Sequence, residues 1–219
     1  MWYYYLIAIG IILGIAYLVF HKQITFFVVA ITGKRRIQRN LYKSCKANDY
    51  LILNDLYFPV DGDHLRHIDT LIFGTKFIYV IKEVKQAGEI KIGMEDASWR
   101  VVYNKQLTHI ENPILKNRRI ISRILQVVPG IEERDIINMV VFTKTCKFDP
   151  INYNNKEFVL KENEVMKAIE TIEKNIDIDV FDNDEVERYA KAFYNYGIKA
   201  EEKIKERKKQ KNENDEFSD

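Results

Sequence analysis

Two neighbouring segments carry acidic and basic residues at a spacing that suits metal-assisted chemistry. Asp69 closes the motif His67-Ile68-Asp69, and Glu83-Val84-Lys85 follows the turn signal Gly74-Thr75. Residues i and i+2 of an extended strand point to the same face, so Glu83 and Lys85 are predicted to project together. A tight turn would bring the strand of Asp69 alongside them. Two carboxylates and one ammonium group could then converge.

The chemistry open to this set is hydrolysis of a phosphodiester. Asp69, Glu83 and the carbonyl of Val84 are predicted to bind Mg²⁺ or Mn²⁺, because hard cations prefer oxygen ligands. Lys85 is predicted to position or deprotonate the attacking water, and the metal would offset charge growing on the phosphate. The competing interpretation makes Glu83 and Lys85 solvated residues at a strand end. The apolar run 77–81 before them favours a site, since α/β folds place ligands at the ends of buried strands.

The elements that must position these residues follow from hydropathy patterns and turn signals. Ile37, Leu41 and Cys45 are spaced as on the buried face of a helix over 34–47. Asn112 and Pro113 indicate the start of another helix, which is predicted to end near Val128. Strands are predicted over 50–58, 66–73, 76–83, 89–92, 99–103 and 136–143, and further helices over 161–174 and 184–206. This order predicts an α/β sandwich with a mixed sheet, in which Trp99 packs in the core.

The N-terminus carries an uncharged run from Trp2 to Phe20, roughly 28 Å long if helical, which matches the hydrocarbon core of a bilayer. Residues 1–33 are therefore predicted to be a membrane anchor that contacts lipid through 2–20. A cleaved signal peptide is the alternative, but no basic segment precedes the run. Lys34, Arg35, Arg36 and Arg39 follow it, which predicts a single-pass protein in the cell membrane with its C-terminal part in the cytoplasm.

Composition narrows the classes of function. The formal net charge is +2, so any binding to nucleic acid must come from local basic patches. Two cysteines without a paired motif indicate neither a disulfide framework nor a zinc site. The candidates for contacts with phosphate lie on and near the helix that Pro113 opens: Lys116, Arg118, Arg119 and Arg123. A solvated helix face is the alternative interpretation of that set.

The motifs together resemble the nuclease-related domain (NERD) family. The likeness runs from about Gly33 to Phe148 and rests on ordered motifs: Leu53-Asn54-Asp55-Leu56, His67-Ile68-Asp69, Glu83-Val84-Lys85 with Gly88, Trp99, Asn112-Pro113-Ile114 and Val140-Val141-Phe142-Thr143. The resemblance implies a PD-(D/E)XK-like fold over 34–150 and an Mg²⁺-dependent hydrolase acting on DNA in preference to RNA. On the matching positions Asp69 and Glu83 are metal ligands and Lys85 is the catalytic lysine. Residues 151–206 would form a C-terminal helical extension and 207–219 a disordered polar tail.

The chain departs from the family pattern in three places. The family usually opens its first helix with Gly-Glu, whereas this chain has Gly33-Lys34 and no carboxylate nearby; Lys116 stands where a glutamine is common. Lys82 is interpreted as an extra residue before Glu83. Either a β-bulge absorbs this residue, or Lys82 and Glu83 exchange faces of the strand. Two functions therefore remain open: a membrane-anchored, metal-dependent nuclease, or a non-catalytic module that binds nucleic acid or a protein partner at the membrane.

Overall fold

The computed structural model describes residues 33–61 and 64–216. Helix α1 occupies residues 33–47 of this part. The strands are β1 (Leu51–Asp61), β2 (His64–Phe73), β3 (Ile78–Val84), β4 (Gly88–Lys91), β5 (Ser98–Tyr103), β6 (Gln106–Glu111), β7 (Ile136–Phe142), β8 (Cys146–Lys147), β9 (Ile151–Tyr153) and β10 (Glu157–Lys161). The other helices are α2 (Pro113–Val127), α3 (Val165–Asn175) and α4 (Asn183–Glu216), and a short 3-10 helix (Glu133–Asp135) precedes β7.

The main sheet has six strands in the order β1-β2-β3-β7-β10-β9. The first three strands form an antiparallel meander, whereas β3, β7 and β10 run parallel. Helix α2 connects β3 to β7 as part of the crossover that parallel strands require. A second sheet contains β6-β5-β4-β8. The predicted mixed-sheet α/β architecture is therefore confirmed.

The alternation of side chains along β3 divides the core between two faces of the main sheet. Tyr79 and Ile81 pack with α1 and α3, and the predicted helix positions Ile37, Leu41 and Cys45 are all buried there. Ile78 and Val80 pack on the opposite face against α2 and α4. A third cluster lies under the second sheet, where Trp99 is buried and stacks on Phe142, as its predicted core role requires.

Three predicted boundaries need correction. The helix predicted over 161–174 begins at Val165, because Lys161 ends β10 and residues 162–164 form a turn. The boundary at residue 150 does not separate two units, since β9 and β10 complete the main sheet. Helix α4 continues through 207 to Glu216, where a disordered tail was predicted. Residues 199–216 contain neither glycine nor proline, and their mixed charges are compatible with a solvated helix.

The predicted membrane anchor, 1–33, falls almost entirely outside the described residues, which begin at 33. Within 33–61 and 64–216, no helix is both long enough and apolar enough to cross a bilayer.

Candidate functional site

Four elements meet around Asp69, which is 5% exposed. It lies on β2 between β1 and β3, and the first turn of α1 packs over the same end of the sheet. This arrangement brings Lys82 of β3 and Lys34 of α1 to the carboxylate of Asp69, and Lys34 also contacts Asp55 of β1. The meander β1-β2-β3 and the apolar face of α1 therefore build the site.

Both oxygens of Asp69 are occupied by protein donors. Oδ1 lies 3.1 Å from Lys34 Nζ and 3.1 Å from His67 Nδ1. Oδ2 lies 2.6 Å from Lys82 Nζ and accepts a hydrogen bond from the backbone N–H of Glu83 at 3.2 Å. Burial alone would raise the pKa of Asp69, but the hydrogen bond from His67 and the charge of Lys82 hold this pKa well below its usual range. Asp69 is therefore a paired, ionised carboxylate.

A second carboxylate, Asp55, belongs to the same cluster and was not among the predicted site residues. It contacts Lys34, lies 3.1 Å from Nε2 of His67 and accepts a hydrogen bond from Gln38 at 3.2 Å. Asp55 has φ of 57°, an unusual value within a strand. The two ring nitrogens of His67 thus face two different carboxylates, and only the protonated imidazole can donate to both. Asp55 lies across β1 and β2 from Asp69, and this position is the sequence signal that could have identified Asp55 as a site residue.

The carboxyl group of Glu83 lies on the face of β3 that packs against α1, where the charges of Asp69 and Lys34 both act on it. Its Oε1 lies 2.7 Å from Thr70 Oγ1, which is also 2.6 Å from the side-chain oxygen of Asn54. Thr70 has one hydroxyl proton, so it can donate to only one of these two oxygens at a time. Burial raises the pKa of Glu83 to about 7 despite the opposing hydrogen bond with Thr70, and the Asp69 charge adds to the increase. Oε2 of Glu83 is buried and has no hydrogen-bond partner among the described residues.

The extra residue Lys82 is not absorbed by a bulge on the β7 side of β3. The parallel register runs unbroken from Ile78 opposite Ile136 to Val84 opposite Phe142. Lys82 and Glu83 consequently lie on opposite faces of β3: Lys82 contacts Asp69, and Glu83 shares the face of Tyr79 and Ile81, on which α1 packs. Lys85 follows the end of β3 and is exposed. The structure therefore brings Asp69 next to Glu83 and leaves the side chain of Lys85 exposed beyond the end of β3.

The predicted metal ligands were Asp69, Glu83 and the Val84 carbonyl. The two oxygens of Asp69 are paired with ammonium groups, and only one oxygen of Glu83 lacks a partner. In the part of the chain that the structure describes, no group of three His, Cys, Asp or Glu residues is arranged to hold a metal ion. As arranged, these donors do not fit Mg²⁺ or Mn²⁺, because two lysines already supply the positive charge that a cation would bring.

A cavity of about 270 Å³ opens beside the Asp69 cluster and is called the basic pocket. It is lined by Tyr57, Leu65, Arg66, His67, Lys82, Lys116, Arg119 and Ile120. None of these residues is acidic, and five carry or can carry a positive charge. Lys82 and His67 belong to the basic pocket and to the Asp69 cluster at once. This concave, cationic surface can accept phosphate oxygens.

The predicted phosphate-binding residues divide into two groups. Lys116 and Arg119 line the basic pocket, where each also faces Glu111 at 2.9 and 3.6 Å. Arg118 instead donates to both oxygens of Glu95 and to both oxygens of the buried Glu157. Arg123 donates to Gln126 and does not line the basic pocket. Arg118 therefore stabilises the fold by pairing with Glu95 and Glu157.

Arg66 and Tyr57 are pocket residues that sequence reasoning missed. They occupy exposed positions of adjacent strands, and their residue types alone gave no site signal. Asp55 lies two residues from Tyr57 on β1, and His67 is adjacent to Arg66 on β2, so one end of the meander carries both the basic pocket and the Asp69 cluster.

Comparison with known proteins agrees with the architecture. The family model for the nuclease-related domain matches residues 30–143, which is just over half of the 219 residues. No curated protein and no solved structure matches the chain. The matched residues contain α1, β1 to β6, α2 and β7, whereas β8 lies outside them. They therefore contain every residue of the Asp69 cluster and of the basic pocket. The chain therefore belongs to the nuclease-related domain (NERD) family.

Proposed function

We propose that this protein binds the phosphates of nucleic acid at the basic pocket and does not cut the strand. One observation carries the proposal: His67 and Lys82 line the basic pocket and are both held by Asp69. Asp69 then acts as a counter-ion that fixes two phosphate-binding cations in place. In this role the carboxylate of a nuclease-related site positions donors and does not bind a metal.

The chemistry of recognition follows from the lining residues. Lys116 and Arg119 are exposed enough to exchange Glu111 for a phosphate, since salt bridges at the surface contribute little. Tyr57 offers a ring, 36% exposed, on which a base can stack. Affinity should fall steeply with salt, because phosphate binding releases condensed counterions. DNA is the ligand that the family resemblance implies, with RNA as the second polymer to test.

Attachment to the membrane is part of the proposal and rests on the sequence alone. The uncharged run over 2–20 would anchor the chain, and the basic residues from Lys34 to Arg39 would keep the domain on the cytoplasmic side, where nucleic acid is present.

The test combines binding with cleavage. Single- and double-stranded DNA and RNA are titrated with the wild type, Lys82→Ala, Arg119→Ala and the control Arg100→Ala at several salt concentrations. Arg100 is an exposed residue of β5 that does not line the basic pocket. We expect Lys82→Ala and Arg119→Ala to weaken binding about tenfold and the control to bind like the wild type. Parallel incubations with Mg²⁺, Mn²⁺ or EDTA should leave every substrate intact.

A metal-dependent nuclease is the second candidate, and the unpartnered Oε2 of Glu83 favours it. Hydrolysis would use Asp69, Glu83 and Lys85 as predicted, after Lys34 and Lys82 had left Asp69. Metal-dependent cutting that disappears in Glu83→Ala and Lys85→Ala would establish this candidate and reject the binding-only function.

A further inference from the structure

We infer that the basic pocket selects a phosphomonoester, the group found at the end of a nucleic-acid strand or on a free nucleotide, over the internal diester of a strand. The inference rests on the proposed function, because it concerns the same pocket. It adds the chemical class of the ligand.

Charge is the first argument. Among the described side chains, when the neighbouring Glu83 is protonated, the basic pocket and the Asp69 cluster contain five lysines and arginines, Lys34, Arg66, Lys82, Lys116 and Arg119, against three carboxylates, Asp55, Asp69 and Glu111. Two positive charges are left over. A phosphomonoester carries about −1.5 to −2 near neutral pH, whereas a diester carries a single negative charge. The surplus therefore matches the monoester.

Arg66 supplies much of this surplus. Lys82 is paired with Asp69, and Lys116 and Arg119 share Glu111. Arg66 lines the cavity, and it makes no ion pair with the side chains that the structure describes, although its charge helps to lower the pKa of Glu111. Its planar guanidinium can donate two parallel hydrogen bonds to phosphate oxygens, and a monoester presents three terminal oxygens where a diester presents two.

The walls of the pocket are the second argument. Side chains come from β1, β2, β3 and α2, so the cavity is bounded by four elements. Its volume of about 270 Å³ lies just below the range of about 300–1,000 Å³ that is usual for ligand sites, so the ligand must be small. An internal phosphate has sugars on both sides and needs an entry and an exit for the chain. A terminal phosphate needs only one opening.

The experiment compares strands that differ only at their ends. Full-length protein in detergent is titrated with one single-stranded DNA sequence carrying a 5′-phosphate, a 3′-phosphate or hydroxyl groups at both ends, and with a circular strand that has no end. Arg66→Ala is the test variant, and Arg100→Ala is the matched control because both arginines are exposed on strands. Adenosine monophosphate and inorganic phosphate are the competitors.

We expect a phosphorylated strand to bind at least tenfold more tightly than the hydroxyl-ended strand. Arg66→Ala should reduce that ratio to below twofold, while Arg100→Ala retains it. Displacement by adenosine monophosphate at concentrations near the Kd of the strand would identify the free nucleotide as the source of the phosphomonoester; failure of such displacement, with the ratio retained, would identify the strand end.

Failure has two distinguishable forms. Equal binding of phosphorylated, hydroxyl-ended and circular strands would overturn the selection of a monoester and leave the proposed nucleic-acid binding intact. Absence of binding to every strand would overturn the proposed function itself, and with it this inference.

Discussion

The ammonium group of Lys34 lies 3.1 Å from Oδ1 of Asp69 and also contacts Asp55, so the first turn of α1 delivers a cation to the acidic cluster. Members of the family that open this helix with Gly-Glu would deliver a carboxylate there instead. We predict that Mg²⁺ and Mn²⁺ at millimolar concentration leave the melting temperature of the wild type unchanged.

The same relationship predicts how a metal site could be restored. The double substitution Lys34→Glu with Lys82→Ala should raise the melting temperature in Mn²⁺ by about 5 °C or more. A ligand at 100 times its Kd adds about 2.7 kcal/mol, and about 1 kcal/mol shifts the midpoint by about 2–4 °C in a chain of this size. Lys43→Glu, on the exposed side of α1, is the control and should gain nothing. Stabilisation of the wild type by either metal would contradict the assignment of Lys34 as a substitute cation.

Glu83 should make the free energy of unfolding depend on pH. Its pKa rises from 4.5 to about 7 on folding, so the folded state holds the proton more tightly than the unfolded state. Stability from this group is therefore present at low pH and is lost as pH rises from about 4.5 to about 7. Glu83→Gln removes the loss and should gain up to about 3 kcal/mol relative to the wild type between pH 5 and pH 8.

Urea unfolding at the two pH values checks this prediction. Glu89→Gln, at an exposed position of β4, is the matched control and should show the same difference from the wild type at both. If Glu83→Gln also showed no change between pH 5 and pH 8, the raised pKa would be refuted.

Substitutions of two neighbouring arginines of α2 should have different effects, one on the free energy of unfolding and the other on nucleic-acid binding. Arg118→Ala leaves the buried Glu157 without its guanidinium partner and should cost about 2–3 kcal/mol of stability. Arg119 is 61% exposed in its side chain and lines the basic pocket, so Arg119→Ala should leave stability within about 0.5 kcal/mol while weakening nucleic-acid binding. Chemical denaturation and anisotropy titrations measure the two effects. The opposite pattern would move the phosphate contact to Arg118.

Membrane attachment is tested by fractionation. The full-length chain should sediment with membranes and resist extraction by alkaline carbonate, because an uncharged run such as 2–20 partitions into the bilayer. A chain lacking 2–20 should remain in the supernatant. Release of the full-length chain by carbonate would overturn the anchor.

Hydropathy patterns predicted the buried strands and helices of the fold, but they did not predict several of the short or exposed strands. Two local signals are strong because burial dictates the residue types. They are the apolar run of β7 and the four-residue spacing of Ile37, Leu41 and Cys45 on one face of α1. Strand β6 is almost wholly exposed and carries no such pattern. Strand β10 is short and was not predicted, since a brief apolar run does not distinguish a strand from a helix.

The site was harder to predict than the fold because its contacts join distant parts of the chain. Sequence spacing could place Asp69 opposite the end of β3, and it identified Lys82 as a register problem. It could not show that the ammonium groups of Lys34 and Lys82 both reach Asp69, which depends on how α1 packs over the sheet. Charge alone likewise placed Arg118 and Arg119 in one predicted phosphate-binding set, although Arg118 pairs with Glu157 and only Arg119 lines the basic pocket.

The parallel pairing of β3 with β7 has a consequence for synthesis on the ribosome. The hairpin of β2 and β3 is complete once Val84 has emerged, yet the inner edge of β3 has no partner until Ile136 and the residues after it have been made. The backbone of an apolar strand is therefore exposed in the nascent chain while the second sheet and α2 are translated. An unpaired edge of this kind invites pairing with other chains, so slow translation between residues 84 and 136 should promote aggregation more than slow translation after residue 142.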